Sequence, residues 1–195
     1  METRDKVLVA VLKEPFARHT ATSLAKSFGI TRQGIWKALY KLEKNKLIML
    51  ESIGGLKTST ATVNLNWANP ATEKTLSLLL LRESLKQQRW MENFADFKKS
   101  VDFMLLFGSI LSNPKEAQDI DLLAVVPRKK FKDVEEALAK VRLTQLMKIH
   151  LTDITKEEFI HELKKPNKAY LDAVKKGIVL FGTDIFVLSM QDLQK

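Results

Sequence analysis

The chain contains no cysteine, only three histidines (His19, His150 and His161), and no apolar run long enough to cross a bilayer. The first absence excludes disulfides, thiolate zinc sites and cysteine nucleophiles together. Three scattered histidines argue against a transition-metal site built by the protein, so any bound metal is expected on carboxylates. The nearest approach to a span, Leu76-Ser77-Leu78-Leu79-Leu80-Leu81, is closed off by Lys74 and Arg82, well short of the ~18 apolar residues required. Met1-Glu2-Thr3-Arg4-Asp5-Lys6 has neither the n-region nor the h-region of a signal peptide, so the expectation is a cytoplasmic protein with no membrane partner.

The 195 residues are 45% hydrophobic and 28% charged, a balance that supports one or two modest cores. Charge is uneven. Of the net +9, residues 1–68 contribute +6, from 11 Lys or Arg against 5 Asp or Glu. A polyanionic partner at that end fits the bias, and so does a plain solvated surface until the fold of the segment is considered.

Over 5–14, Leu8, Val11 and Leu12 stand at helical spacing, and Pro15 closes the segment. A short second helix over 22–28 has Thr20 or Thr22 as N-cap and Gly29 as a left-handed C-cap. After Gly29-Ile30-Thr31, a third helix over 32–46 puts Ile35, Leu39 and Leu42 on one face, with Thr31 as its N-cap. Residues 47–53 and 60–67 are strand-like, and Gly54-Gly55 with Lys57 forms the basic tip of a hairpin.

Three helices with a tight turn, then a hairpin, are the parts of a winged helix-turn-helix. Ser23-Leu24-Ala25-Lys26-Ser27-Phe28-Gly29-Ile30-Thr31-Arg32-Gln33-Gly34-Ile35-Trp36-Lys37-Ala38-Leu39-Tyr40-Lys41-Leu42-Glu43, followed by Asn45-Lys46-Leu47-Ile48, resembles the core of bacterial and archaeal winged-helix regulators. Double-stranded DNA is then the expected partner. Arg32 and Gln33 would meet base edges, Lys37, Lys41 and the wing's Lys57 would meet phosphates, and Trp36 and Tyr40 share the exposed face. Exposed aromatics also suit protein interfaces, so a winged helix used for protein contact is the alternative.

Residues 69–99 read as a connecting helical segment, with Pro70 in the first turn, Glu73 at the positive end, and Leu76, Leu79, Leu80 and Leu85 clustered beyond. Their density exceeds one narrow face, which leaves packing between domains and a homodimer seam both open.

From Ser100 the pattern changes to buried-type strands. Val101 to Phe107 is followed by Gly108-Ser109, a polar loop and a second strand, Ile120 to Val126, ended by Pro127. A helix from Phe131 to Lys140 leads to a third strand, Leu143 to Thr152, whose apolar positions are Leu146, Ile149 and Leu151. Helices over 156–163 and 167–176 and a short strand or turn at 178–182 complete the domain. Gly108 lets a backbone approach a phosphate, and Ser109 adds a hydroxyl and an amide. Asp119 and Asp121, two apart on a strand, share a face where paired carboxylates can hold Mg²⁺.

Apolar-Gly108-Ser109, a gap, and Asp119-Ile120-Asp121-Leu122-Leu123 resemble the signature of minimal nucleotidyltransferases of the DNA polymerase β-like superfamily over roughly residues 100–187. Lys176-Gly177-Ile178-Val179-Leu180-Phe181-Gly182 is similar to their closing segment. The resemblance implies an NTP held by Gly108 and Ser109, with Asp119 and Asp121 as catalytic ligands of a divalent metal; Lys115 is the only local cation. It also implies a third carboxylate on a later strand. Here that strand offers Lys148 and His150, Asp153 has the other parity, and the loop Ile110 to Glu116 lacks the arginine and glycine that often follow Gly-Ser in the family.

The expected architecture is α+β in three parts: a winged helix-turn-helix over 1–68, the connecting segment over 69–99, and a nucleotidyltransferase-like α/β domain with a small mixed sheet over 100–195. One functional reading is a DNA-binding regulator, or an antitoxin-like protein with a small helical protein partner, whose second domain binds NTP and Mg²⁺. The other is an active transferase moving a nucleoside monophosphate from an NTP to a protein or nucleic acid. A module that keeps both folds and neither activity is a third.

Overall fold

A computed structural model of the chain describes residues 1–53, 60–165 and 167–194. The protein is mixed α+β, with one two-stranded and one four-stranded sheet. Contacts divide it into two units, Met1–Leu79 together with Gln194, and Leu80–Leu193. Among the described residues no helix is long and apolar enough to cross a membrane.

The first unit begins with α1 (Thr3–Lys13), which buries Val7, Leu8, Val9, Val11 and Leu12. Helix α2 (Ala21–Phe28) starts at Thr20, whose hydroxyl accepts from the Ser23 amide while the Ser23 hydroxyl accepts from the Thr20 amide. This reciprocal box satisfies two of the donors a helix start leaves unpaired. Gly29 closes the helix at φ 63°, the left-handed conformation that favours glycine. The Thr31 hydroxyl accepts from the Gly34 amide at 3.1 Å to start α3 (Arg32–Lys44), which buries Ile35, Ala38, Leu39 and Leu42.

Strands β1 (Ile48–Ile53) and β2 (Thr60–Leu65) pair antiparallel with Leu50 opposite Val63, and Thr20 bridges Thr62. The expected hairpin tip, with Gly54, Gly55 and Lys57, lies outside the described residues. Beyond β2, the Asn66 and Asn69 side-chain amides both donate to the Lys46 carbonyl, fixing the turn that leads into β1. The indole of Trp67 donates to Gln194 Oε1 at 2.8 Å, and Gln194 Nε2 donates to the Val11 carbonyl at 3.1 Å.

The segment 69–99 is not one helix. Helix α4 (Pro70–Ser84) gives way to a 3₁₀ turn at Leu85–Gln87, α5 (Gln88–Asn93) and a second 3₁₀ turn at Ala95–Lys99, and the division between the units falls inside α4. At the break, the fully buried Ser84 donates its hydroxyl to the Leu81 carbonyl at 2.8 Å, a local bond that competes with the helical ladder. Trp90, Phe94 and Phe97 then turn inward as a ring ladder with successive centroids 6.0 Å apart. Burying these rings outweighs continuing the helix.

In the second unit β3 (Phe103–Phe107), α6 (Ser109–Ser112), β4 (Asp119–Val125), α7 (Phe131–Thr144), β5 (Lys148–Ile154), α8 (Lys156–Lys164), α9 (Lys168–Lys176), β6 (Ile178–Phe181) and α10 (Thr183–Leu193) follow in order. The sheet runs β5-β4-β3-β6, parallel between β4 and β5 and antiparallel elsewhere. Alternation sorts the side chains. Met104, Leu106, Ile120, Leu122, Ala124 and Ile149 pack on one face with Val134, Ala137 and Val141 of α7 and the Trp90–Phe97 aromatics. On the other face Phe103 meets Phe159 of α8 and Phe186 of α10 edge to face, at 5.1 and 5.3 Å.

The third strand differs from its expected span. α7 runs on to Thr144 and β5 starts only at Lys148, so Leu146 lies in the connection with its side chain fully exposed, and Leu143 is 87% exposed. The helical amphipathic period of α7 continues past Lys140 through the buried Val141, which carries the helix into residues that read as strand.

Candidate functional site

Strand alternation delivers Asp119 and Asp121 to one face of β4, half-buried, at the end of the sheet where β3 stops. The parallel ladder sets His150 opposite Asp121 and Lys148 opposite Asp119. His150 Nδ1 lies 3.4 Å from Asp119 Oδ2 and 3.5 Å from Asp121 Oδ1. One ligand atom from each of the three residues falls within 4.8 Å of the others, a cluster that can hold a metal ion. Asp153 pairs with Ala124 and so belongs to the opposite face, as its parity predicts. The carboxylates are thus joined by an imidazole, so the three residues that could hold an ion are not all acids.

Gly108 explains how the pair sits. It follows Phe107, the residue paired with Asp121, and adopts φ 83°, ψ −160°, a region almost confined to glycine. A Cβ at this position would collide with Asp121 Oδ2. The glycine therefore lets the carboxylate lie against the backbone that turns into α6. Ser109 opens α6, which is a single turn, and is exposed. Lys115 is exposed on the loop 113–118, and among the described residues the ion pairs of Asp119 and Asp121 are with His150. The structure thus brings Gly108, Asp119 and Asp121 together, keeps Ser109 next in the chain, and does not bring Lys115 into the ion pairs.

Beside Gly108 opens a cleft of about 540 Å³ between Phe107, Leu111 and Ser112 on one side and α9 on the other, with Ala169, Asp172, Ala173 and Lys176 as its far wall. Ala169 and Ala173, one turn apart, make the wall shallow, and Lys176 pairs with Asp172 at 2.9 Å. A smaller hollow of about 100 Å³ is lined by Phe107, Leu123 and Tyr170, and burial pushes the Tyr170 phenol up, with Glu162 and Glu158 adding to the effect. Helix α9 carries no motif in its sequence; its signal is the pair of alanines at i and i+4 on an otherwise lysine-rich helix.

In the first unit Arg32, Gln33, Trp36, Lys37, Tyr40 and Lys41 are all exposed on α3, opposite its buried stripe. Tyr40 is 67% exposed, well beyond what a ring at the edge of a core shows. Lys57 lies outside the described residues.

No family model and no curated protein matches the chain.

Proposed function

We propose that the chain is a DNA-binding regulator in which a winged helix-turn-helix is joined to a nucleotidyltransferase-like domain that binds a divalent metal and an NTP. The convergence of Asp119, Asp121 and His150 beside Gly108 and its adjoining cleft carries the second half of this reading. Asp119, Asp121 and His150 would hold a divalent ion, which would supply positive charge to offset the negative charge of a phosphate. Gly108 leaves room for close approach to the backbone, the exposed Ser109 offers a hydroxyl next in the chain, and the apolar wall of Phe107, Leu111, Ala169 and Ala173 offers a surface for a base or ribose.

The exposed basic and aromatic face of α3, together with the +6 charge of residues 1–68, supports the DNA half. Duplex titrations at several salt concentrations test it: affinity should fall steeply as salt rises, and no binding at low ionic strength would overturn it.

An active transferase is the second reading, favoured by the cleft beside Gly108, the residue against which Asp121 lies. His150 in the place of a third acid weighs against it, because a carboxylate there would add charge to hold and orient the ion. Incubation with labelled NTPs, a divalent ion and candidate acceptors separates the two, since only the transferase gives label transfer that Asp119→Ala/Asp121→Ala abolishes.

A further inference from the structure

We propose that His150 is a metal ligand and that it tunes the Asp119–Asp121 site toward first-row transition ions that accept nitrogen donors, ahead of Mg²⁺. The inference rests on the metal-site reading above and deepens it by naming the class of ion.

Distance is the first argument. At 3.4 and 3.5 Å, His150 Nδ1 is too far from the two carboxylate oxygens for a good N–H···O hydrogen bond, which centres near ~2.9 Å. Those same separations are close to the edges of a coordination polyhedron: donors ~2.1 Å from one ion and 90–109° apart lie roughly 3.0–3.4 Å from each other. The imidazole stands at the spacing that a shared ion would set. Its backbone is fixed in the β4–β5 ladder rather than in a loop, so little chain ordering is needed on binding.

Donor chemistry is the second argument. Mg²⁺ demands oxygen ligands in near-ideal octahedral geometry and gives up water reluctantly, whereas imidazole suits zinc, iron, cobalt and nickel. Two oxygens and one nitrogen form a mixed set of borderline softness, and three protein ligands leave positions open for water or phosphate oxygens. With no cysteine in the chain, no thiolate can draw a softer ion to the site. His150 is also accessible, its side chain 46% exposed, so an ion can enter without unfolding the strand.

The test uses the full chain, stripped with a chelator and titrated separately with Co²⁺ and Mg²⁺ by calorimetry. Proton NMR of the Co²⁺-loaded protein reads the ligand directly, through a hyperfine-shifted exchangeable imidazole resonance. The proposal expects one Co²⁺ bound at least about tenfold more tightly than Mg²⁺ and a shifted resonance absent from His150→Gln. It expects His150→Ala to weaken Co²⁺ about tenfold or more while changing Mg²⁺ little, and His150→Asp to raise Mg²⁺ affinity. Equal affinities in the wild type, no shifted imidazole resonance, or a Co²⁺ to Mg²⁺ ratio unchanged by His150→Ala would each overturn it. The wild-type spectrum decides the matter even for a variant that folds poorly. Intact His150-dependent Co²⁺ binding with no NTP affinity sinks the nucleotide reading alone. NTP binding with a metal site indifferent to His150 sinks this inference alone.

Discussion

The Asp121 carboxylate occupies the space where a Cβ at position 108 would stand, so the bare backbone of Gly108 and the side chain of Asp121 are fitted to one another. Gly108→Ala meets two penalties, a collision with Oδ2 and a backbone at φ 83°. Strain of this kind costs on the order of 1–3 kcal/mol. Chemical denaturation should show a loss of about that size, and calorimetry should show weakened divalent-ion binding as Asp121 is displaced. Unchanged stability together with unchanged ion binding would mean that the two residues are not coupled.

Divalent-ion loading should raise the melting temperature of the wild-type chain, because an ion that binds only the folded state stabilises it. At a free concentration of a hundred times Kd the gain is about 2.7 kcal/mol, a shift on the order of ten degrees for the unit that holds the site. Asp119→Ala/Asp121→Ala should show no such shift in scanning calorimetry, and a chelator should reverse it in the wild type.

On α3, substitutions should separate into two kinds. Arg32→Ala or Gln33→Ala, at the amino-terminal end of the helix, should cost about 1–3 kcal/mol for the preferred duplex and relax preference at one base position. Lys37→Ala or Lys41→Ala should weaken all duplexes alike and lower the slope of log affinity against log salt by about one. Fluorescence anisotropy over a salt series measures both, and identical behaviour of the two sets would contradict a base-reading role for Arg32 and Gln33.

Asp102, just before β3, is held above the ordinary carboxylate range by burial, with Lys156 opposing and Glu157 adding to the shift. For a raised acid the ionised form is the one the fold penalises. That cost is present above the folded pKa and is relieved as pH falls through it towards the ordinary Asp value, so this group's effect on stability worsens as pH rises through the window. Asp102→Asn should therefore melt higher than the wild type at neutral pH, and the gap should close below about pH 3.5, where the wild-type carboxyl is protonated in both states. Melting curves at pH 3 to 8 check the sign.

Much of this was readable from residue order. Period-two alternation put Asp119 and Asp121 on one face and excluded Asp153, and Thr31 and Gly29 marked helix ends because capping is local chemistry. What escaped depends on partners distant in the chain. Trp90, Phe94 and Phe97 break the connecting segment because a sheet formed later in the chain receives them. Leu143 and Leu146 read as strand because apolar composition alone does not separate a helix end from a strand start, and in the fold neither is buried. His150 could be placed on the correct face by counting, yet its distance from the two carboxylates depends on the register of a parallel ladder across the whole of α7.

The hydrogen bonds of Gln194 give the first unit an unusual dependence on time. Its partners Trp67 and Val11 lie 127 and 183 positions earlier, so the ribosome must make the entire second unit before the amide that joins them exists. The helix that carries Arg32 and Lys37 is local in sequence, but two hydrogen bonds of the unit around it wait for a residue that follows the second unit.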